Sequence, residues 1–215
     1  MHHLNLWKKS LGTVPDYVWD LTELQTLVLA ETGLTSVSPR LGQLKRLRML
    51  DLGHNALAEL PDTIGELSEL SDFLYLHDNQ LLELPASLRR LTCLRYLNLS
   101  QNRFAELPAV VFELTGLVEL RASDNAISTL PEAIGQLSQL RELHLRNNHL
   151  TTLPASVGKL RSLRQLDLRG NPLTELPAEL AELPALDKID LRWVTSLKPP
   201  DWLARLVARG CLVYL

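Results

Sequence analysis

Apolar and polar positions recur along this chain with a fixed period. The clearest copy, residues 140–162, reads LRELHLRNNHLTTLPASVGKLRS. Its apolar residues are Leu140, Leu143, Leu145, Leu150, Leu153, Val157 and Leu160, with Asn148 and Pro154 between them. The next copy opens at Leu163 and repeats the order, a period of 23 residues. A period of this length marks a solenoid, in which each unit buries its apolar face against its neighbours. Units open at Met1, Leu24, Leu47, Leu70, Leu94, Leu117, Leu140, Leu163 and Leu186.

Within each unit, LxxLxLxxN alternates as a strand does, turning positions 4 and 6 inward and positions 3, 5 and 7 outward. The asparagine at position 9 ends the strand, where its amide can bond backbone groups that have no sheet partner. That slot holds Asn55, Asn79, Asn102, Asn125, Asn148 and Asn171, with Thr32 in the second unit and Lys9 in the first. Proline at position 15 suits a first helical turn, and apolar residues at 18 and 21, such as Ile64 and Leu67, share one face. The pattern predicts an α/β solenoid: a curved horseshoe with parallel β-strands on the concave face and short helical turns on the convex face. One domain is expected over residues 1–215. Residues 1–23 are a degenerate first repeat, 24–185 regular repeats, and 186–215 a ninth repeat with a helical C-terminal cap and terminal strand.

Departures from the pattern carry information. The first unit lacks a separate cap, so its end leaves leucines open unless Trp7, Trp19 or a partner covers them; this edge is a candidate self-association surface. The unit opening at Leu70 is one residue longer than the others, and the surplus falls in LSDF, which predicts a bulge or an enlarged turn. Pro199, Pro200 and Asp201 start a helix over Trp202 to Arg209 that Gly210 ends. Trp202, Leu203, Leu206 and Val207 form its apolar side, and CLVYL adds an edge strand.

Composition narrows the setting. Apolar residues make up 46% and aromatics only 5%, so the core is aliphatic. A net charge of -3 argues against general binding to nucleic acid or membrane surfaces. No apolar run is long enough to span a bilayer, and the opening MHHLNLWKKS lacks a signal-peptide core. Cys93 and Cys211 stand far apart, without the cysteine-bridged caps of a secreted protein, so a cytoplasmic location is expected. Both thiols are expected to be packed rather than reactive.

LxxLxLxxNxLxxLPxxIGxL, as in Leu47–Leu67 and Leu117–Leu137, resembles the 23-residue leucine-rich repeats of intracellular proteins. It is similar to plant intracellular Ras-group-related proteins, Ras-suppressor-type proteins and the repeat domains of Roco proteins. The resemblance covers almost the whole chain and implies a scaffold in intracellular signalling, with a GTPase or a kinase among its partners. Unlike the Roco case, there is no GxxxxGK[ST] segment, and Gly158-Lys159 reads as a convex turn. The repeat is also longer than the 20-residue unit of secreted bacterial ubiquitin-ligase effectors, whose catalytic domain is missing.

The outward positions supply the candidate chemistry. Met49, Phe73, Tyr75 and Tyr96 form an aromatic and apolar patch over three neighbouring strands, and exposed aromatic clusters mark interaction sites. Arg146, Arg169 and Arg192 form a ladder at position 7. Their forks suit carboxylate or phosphate, and Glu142, Asp167 and Asp190 on the same strands offset their mutual repulsion. With His77, Arg121 and His144, these residues make up the predicted partner-binding surface. Glu119 and Glu142 sit at a separation compatible with a retaining glycosidase pair, but no enclosing pocket is predicted and catalysis is not expected. His54 and His77 can approach across adjacent units, but no cysteine or carboxylate completes a tetrahedral set, so no metal is expected. The sequence therefore reads as a non-enzymatic protein-binding scaffold, without cofactor, that engages another protein, such as one with an acidic or phosphorylated segment. The alternatives are a structural module that forms weak homo-oligomers through its N-terminal edge, and a secreted bacterial effector-type binding protein.

Overall fold

The computed structural model describes residues 1–215. Ten three-residue strands follow the register of the repeat: β1 His3–Asn5, β2 Thr26–Val28, β3 Met49–Asp51, β4 Phe73–Tyr75, β5 Tyr96–Asn98, β6 Glu119–Arg121, β7 Glu142–His144, β8 Gln165–Asp167, β9 Lys188–Asp190 and β10 Leu212–Tyr214. They form one parallel sheet in chain order, and like positions face each other, as in Met49↔Phe73↔Tyr96↔Glu119. The central residue of each strand from β2 to β9 is buried, and its two flanking residues face the concave side. Behind the sheet lies one aliphatic cluster of 59 buried residues. The chain is a curved solenoid with parallel strands lining the concave side.

On the convex side each of the first eight units returns through five residues of 3-10 helix, such as Asp62–Glu66 and Glu132–Gln136, with proline capping seven of the eight. The residue at position 21 closes each segment by donating its N–H to the carbonyl at position 18, as Leu67 does to Ile64. A slender 3-10 turn suits a stack whose strands repeat every ~4.8 Å, because an α-helix ~10 Å across would force the convex side apart. Close contact between the turns depends on Gly65: a Cβ there would collide with the Ser87 carbonyl.

The asparagine column holds the concave and convex sides together. Asn102 Nδ2 donates to the carbonyls of Leu76 (2.9 Å) and Leu99 (3.1 Å), and its Oδ1 accepts from the Leu81 N–H at 3.0 Å. Each such amide bonds its own turn and the preceding unit. Thr32 fills the slot with a shorter reach, its hydroxyl donating to the Leu29 carbonyl at 2.6 Å.

Several expectations are resolved or corrected. Trp19 is buried in the core, on the side of Val37 and Pro39 of the next unit, and Trp7 lies exposed with its indole N–H donating to Glu31. Leu4 and Leu6 remain half-buried. The extra residue near Leu70 makes no bulge within a strand: β4 keeps three paired residues, and the turn at Ser71-Asp72 absorbs the surplus. Arg95 then donates to the Ser71 carbonyl. The terminal helix α1 spans Leu203–Ala208, and Leu203 and Leu206 pack inward while Val207, expected on the apolar side, is exposed. Cys93, expected to be packed, is also exposed, because its position between units faces solvent; Cys211 is buried. No helix is long and apolar enough to cross a membrane.

Candidate functional site

The concave face divides into an aromatic region over β3–β5 and a charged region over β6–β9. In the first, Phe73 stacks on Tyr75 (ring centroids 5.8 Å apart, planes at 10°), and Tyr96 closes a triangle at 5.4 and 5.0 Å. The three rings pack on one another across strands, with half-buried Met49 beside Phe73 in the register. Phe73 nevertheless remains 42% exposed, and with Tyr96 it lines a hollow of about 260 Å³. Burial pushes the Tyr96 phenol up to about 12, against the lowering effect of Arg121, so both tyrosines stay neutral hydrogen-bond donors. The Arg121 guanidinium sits 6.0 Å from the Tyr96 ring centre.

His77 continues this region. Its ring meets Tyr75 edge-on at 6.0 Å and approaches His54, with their Nε2 atoms 3.1 Å apart. Asp78 accepts from His54 Nδ1 at 2.6 Å, a carboxylate contact that the sequence analysis did not foresee. Gly53 makes room for this arrangement, since a Cβ there would run into the His77 ring.

The charged region is more tightly paired than its composition suggests. Arg169 forks onto Asp167, with Nε to Oδ1 at 2.9 Å and Nη2 to Oδ2 at 2.5 Å. Arg192 forks onto Asp190 at 3.0 and 2.8 Å. Both aspartates, expected to point into solvent, are buried beneath these guanidiniums and their neighbours. Burial alone would push their pKa values up, but the arginine hydrogen bonds outweigh it and hold both carboxyls below the usual range. Arg121 donates to Glu119 at 2.5 Å, and His144 lies 3.2 Å from Glu142. Arg146 differs from the other two arginines of the ladder. No carboxylate lies within ion-pair distance, and its buried Nε has no hydrogen-bond partner. It borders a polar hollow of about 380 Å³ that includes Ser123, His144 and Arg169, a concavity the sequence analysis did not predict.

Glu119, Glu142 and His144 converge, with ligand atoms within 4.8 Å of one another, but Arg121 already occupies Glu119. Sequence reasoning also missed Trp193, which lies 6.0 Å from Arg169 and 5.8 Å from Arg192. Trp193, His54 and Asp78 all occupy position 8, where the chain leaves the strand with φ between 51° and 63°. The left-handed turn swings this column onto the rim of the concave face. The period itself was the available signal: the residue before each asparagine forms a column of its own.

Comparison with known proteins places these features in a wider group. A family model described as "Leucine rich repeat" matches residues 22–81 and 92–150, and one described as "Leucine-rich repeat region" matches residues 128–208. Human leucine-rich repeat protein 1 is 42% identical over 74 residues, covering 34% of this chain and 17% of that protein. The Xenopus laevis volume-regulated anion channel subunit LRRC8E is 36% identical over 87 residues, covering 40% of this chain and 11% of the relative. The chain thus spans less than a fifth of the length of these relatives. Among solved structures, the ectodomain of the Arabidopsis thaliana receptor kinase GASSHO1/SCHENGEN3, in complex with CASPARIAN STRIP INTEGRITY FACTOR 2, superposes with a TM-score of 0.85. It is 32% identical, and the match covers 100% of this chain and 26% of that one. The plant peptide hormone receptor RGFR1 in complex with RGF2 gives a TM-score of 0.82 at 27% identity, covering 100% and 35%. A Leptospira interrogans LRR protein is 29% identical, with a TM-score of 0.60 and coverage of 99% and 66%.

Proposed function

The chain belongs to the leucine-rich repeat family, and from that premise we propose that it is a non-enzymatic module that binds an extended protein segment along its concave face. The exposure of Phe73 at the centre of an aromatic cluster carries this reading. Aromatic side chains on rigid strands offer large contact area at little entropic cost. The segment's apolar side chain packs on Phe73, Tyr75 and Tyr96, beside Met49 and His77. An acidic or phosphorylated residue further along pairs with Arg146, whose guanidinium has no internal partner. Arg121, His144, Arg169 and Arg192 form the surrounding polar rim. Two structural neighbours are solved with partners bound, which supports a protein or peptide ligand.

A cytoplasmic setting accords with the exposed Cys93 thiol, and the intracellular resemblance favours a partner such as a GTPase or kinase in a signalling complex. Half-buried Leu4 and Leu6 leave room for weak self-association at the N-terminal edge. The test is quantitative affinity capture from native lysate with three proteins: the intact chain, Phe73→Ala/Tyr75→Ala/Tyr96→Ala, and Arg146→Ala, each checked for folding by circular dichroism. A partner that both variants lose supports the reading. Equal capture by all three contradicts it.

A further inference from the structure

We propose that His54 and His77 form a binding site for a zinc-class divalent cation on the concave face, independent of any protein partner. The two imidazoles come from adjacent repeats and present Nε2 atoms 3.1 Å apart. Two nitrogens bound to one tetrahedral zinc, at bond lengths of about 2.0–2.1 Å, stand roughly 3.3 Å apart, so a shift of a few tenths of an ångström admits the ion. The rings cross at 81° with centroids 4.6 Å apart, so the two Nε2 atoms converge rather than lying parallel in a stack.

The surroundings fit such an ion. Asp78 accepts from His54 Nδ1 at 2.6 Å, which fixes that ring's proton on Nδ1 and leaves its Nε2 as a lone pair. A carboxylate behind a metal-binding imidazole orients the ring and raises its basicity. The buried Nδ1 of His77 has no hydrogen-bond partner, and without an ion His77 Nε2–H donates to the His54 Nε2 lone pair; a bound ion replaces that proton, and the His77 proton moves to Nδ1. The negative charges of Asp51 and Asp78 beside His77 favour a cation. His54 is held in place by its backbone (φ 53°), and His77 by the space above Gly53. Two protein ligands leave the remaining coordination positions to water.

The test is titration of the full chain with Zn²⁺ alone, followed by NMR of the imidazole nitrogens, with affinity measured by calorimetry. The expected result is joint movement of the His54 and His77 Nε2 signals at one equivalent. His54→Gln and His77→Gln should each weaken that binding at least tenfold, and Asp78→Asn should weaken it about tenfold. Glu142→Gln should leave it unchanged. Unmoved His54 and His77 signals would overturn the proposal, as would affinity that survives both histidine substitutions and places the ion at Glu119, Glu142 and His144 or at His2 and His3.

Discussion

The strands β3–β5 and β6–β9 share one backbone, one register and one asparagine column, yet they use their outward side chains differently. On β6–β9 almost every charge is spent inside the molecule: Arg169 and Arg192 grip buried aspartates, and Arg121 grips Glu119. On β3–β5 the aromatic rings satisfy one another only in part and leave Phe73 open. The difference shows that a ladder of like residues is not a ladder of equivalent sites. Arginines two residues from an aspartate on the same strand fold back onto it. Arg146, with His144 at that place, remains free.

This contrast breaks down if the two halves do not share one scaffold. Asn79→Leu and Asn148→Leu each orphan buried carbonyls and an N–H, and each should cost about 3 kcal/mol in chemical denaturation. A large inequality between them would mean that the halves are held differently.

The paired aspartates sharpen the contrast through pH. The Asp167 carboxyl lies lower in the folded chain than its unfolded value near ~3.9, so its contribution is present above that pH and is lost as pH falls through the folded value. Asp167→Asn should therefore cost about 1 kcal/mol at neutral pH, and the gap between its thermal midpoint and that of the intact chain should narrow steadily as pH falls below about 4. A difference that does not shrink with acid would show that the Arg169 fork is not its source.

Arg146→Ala should leave stability within about 0.5 kcal/mol while reducing capture of an acidic partner at least tenfold. Arg192→Ala should show the weaker effect on capture. Phe73→Ala should cost about 0.5 kcal/mol in stability, because the ring is only partly buried, and should act mainly on binding.

Much of this was legible in the sequence because the period fixes the register. Leu4-type and Leu6-type positions, the asparagine slots, the concave columns and the terminal cap all follow from counting. The aromatic cluster was legible for the same reason, since Met49, Phe73 and Tyr96 share position 3. Pairing within the charged region was not, because alternation says which way Asp190 points but not that Arg192 folds over and buries it. The surplus residue near Leu70 was placed correctly, but only the unbroken pairing of Phe73–Tyr75 with both neighbouring strands decides between turn and bulge. His54 was singled out, but Asp78 and Trp193 of the same rim column escaped notice because a left-handed turn interrupts the alternation on which the reading relied.

The central claim is that a partner lies on the concave face across β4–β7. Photo-crosslinking tests it most directly, with benzoylphenylalanine in place of Tyr75 in one protein and of exposed convex Glu175 in another, each in native lysate. The account predicts a discrete crosslinked partner from position 75, competed away by the unlabelled intact chain and not by its Arg146→Ala form, with nothing comparable from position 175. A partner that crosslinks from position 175 and not from 75 would contradict it.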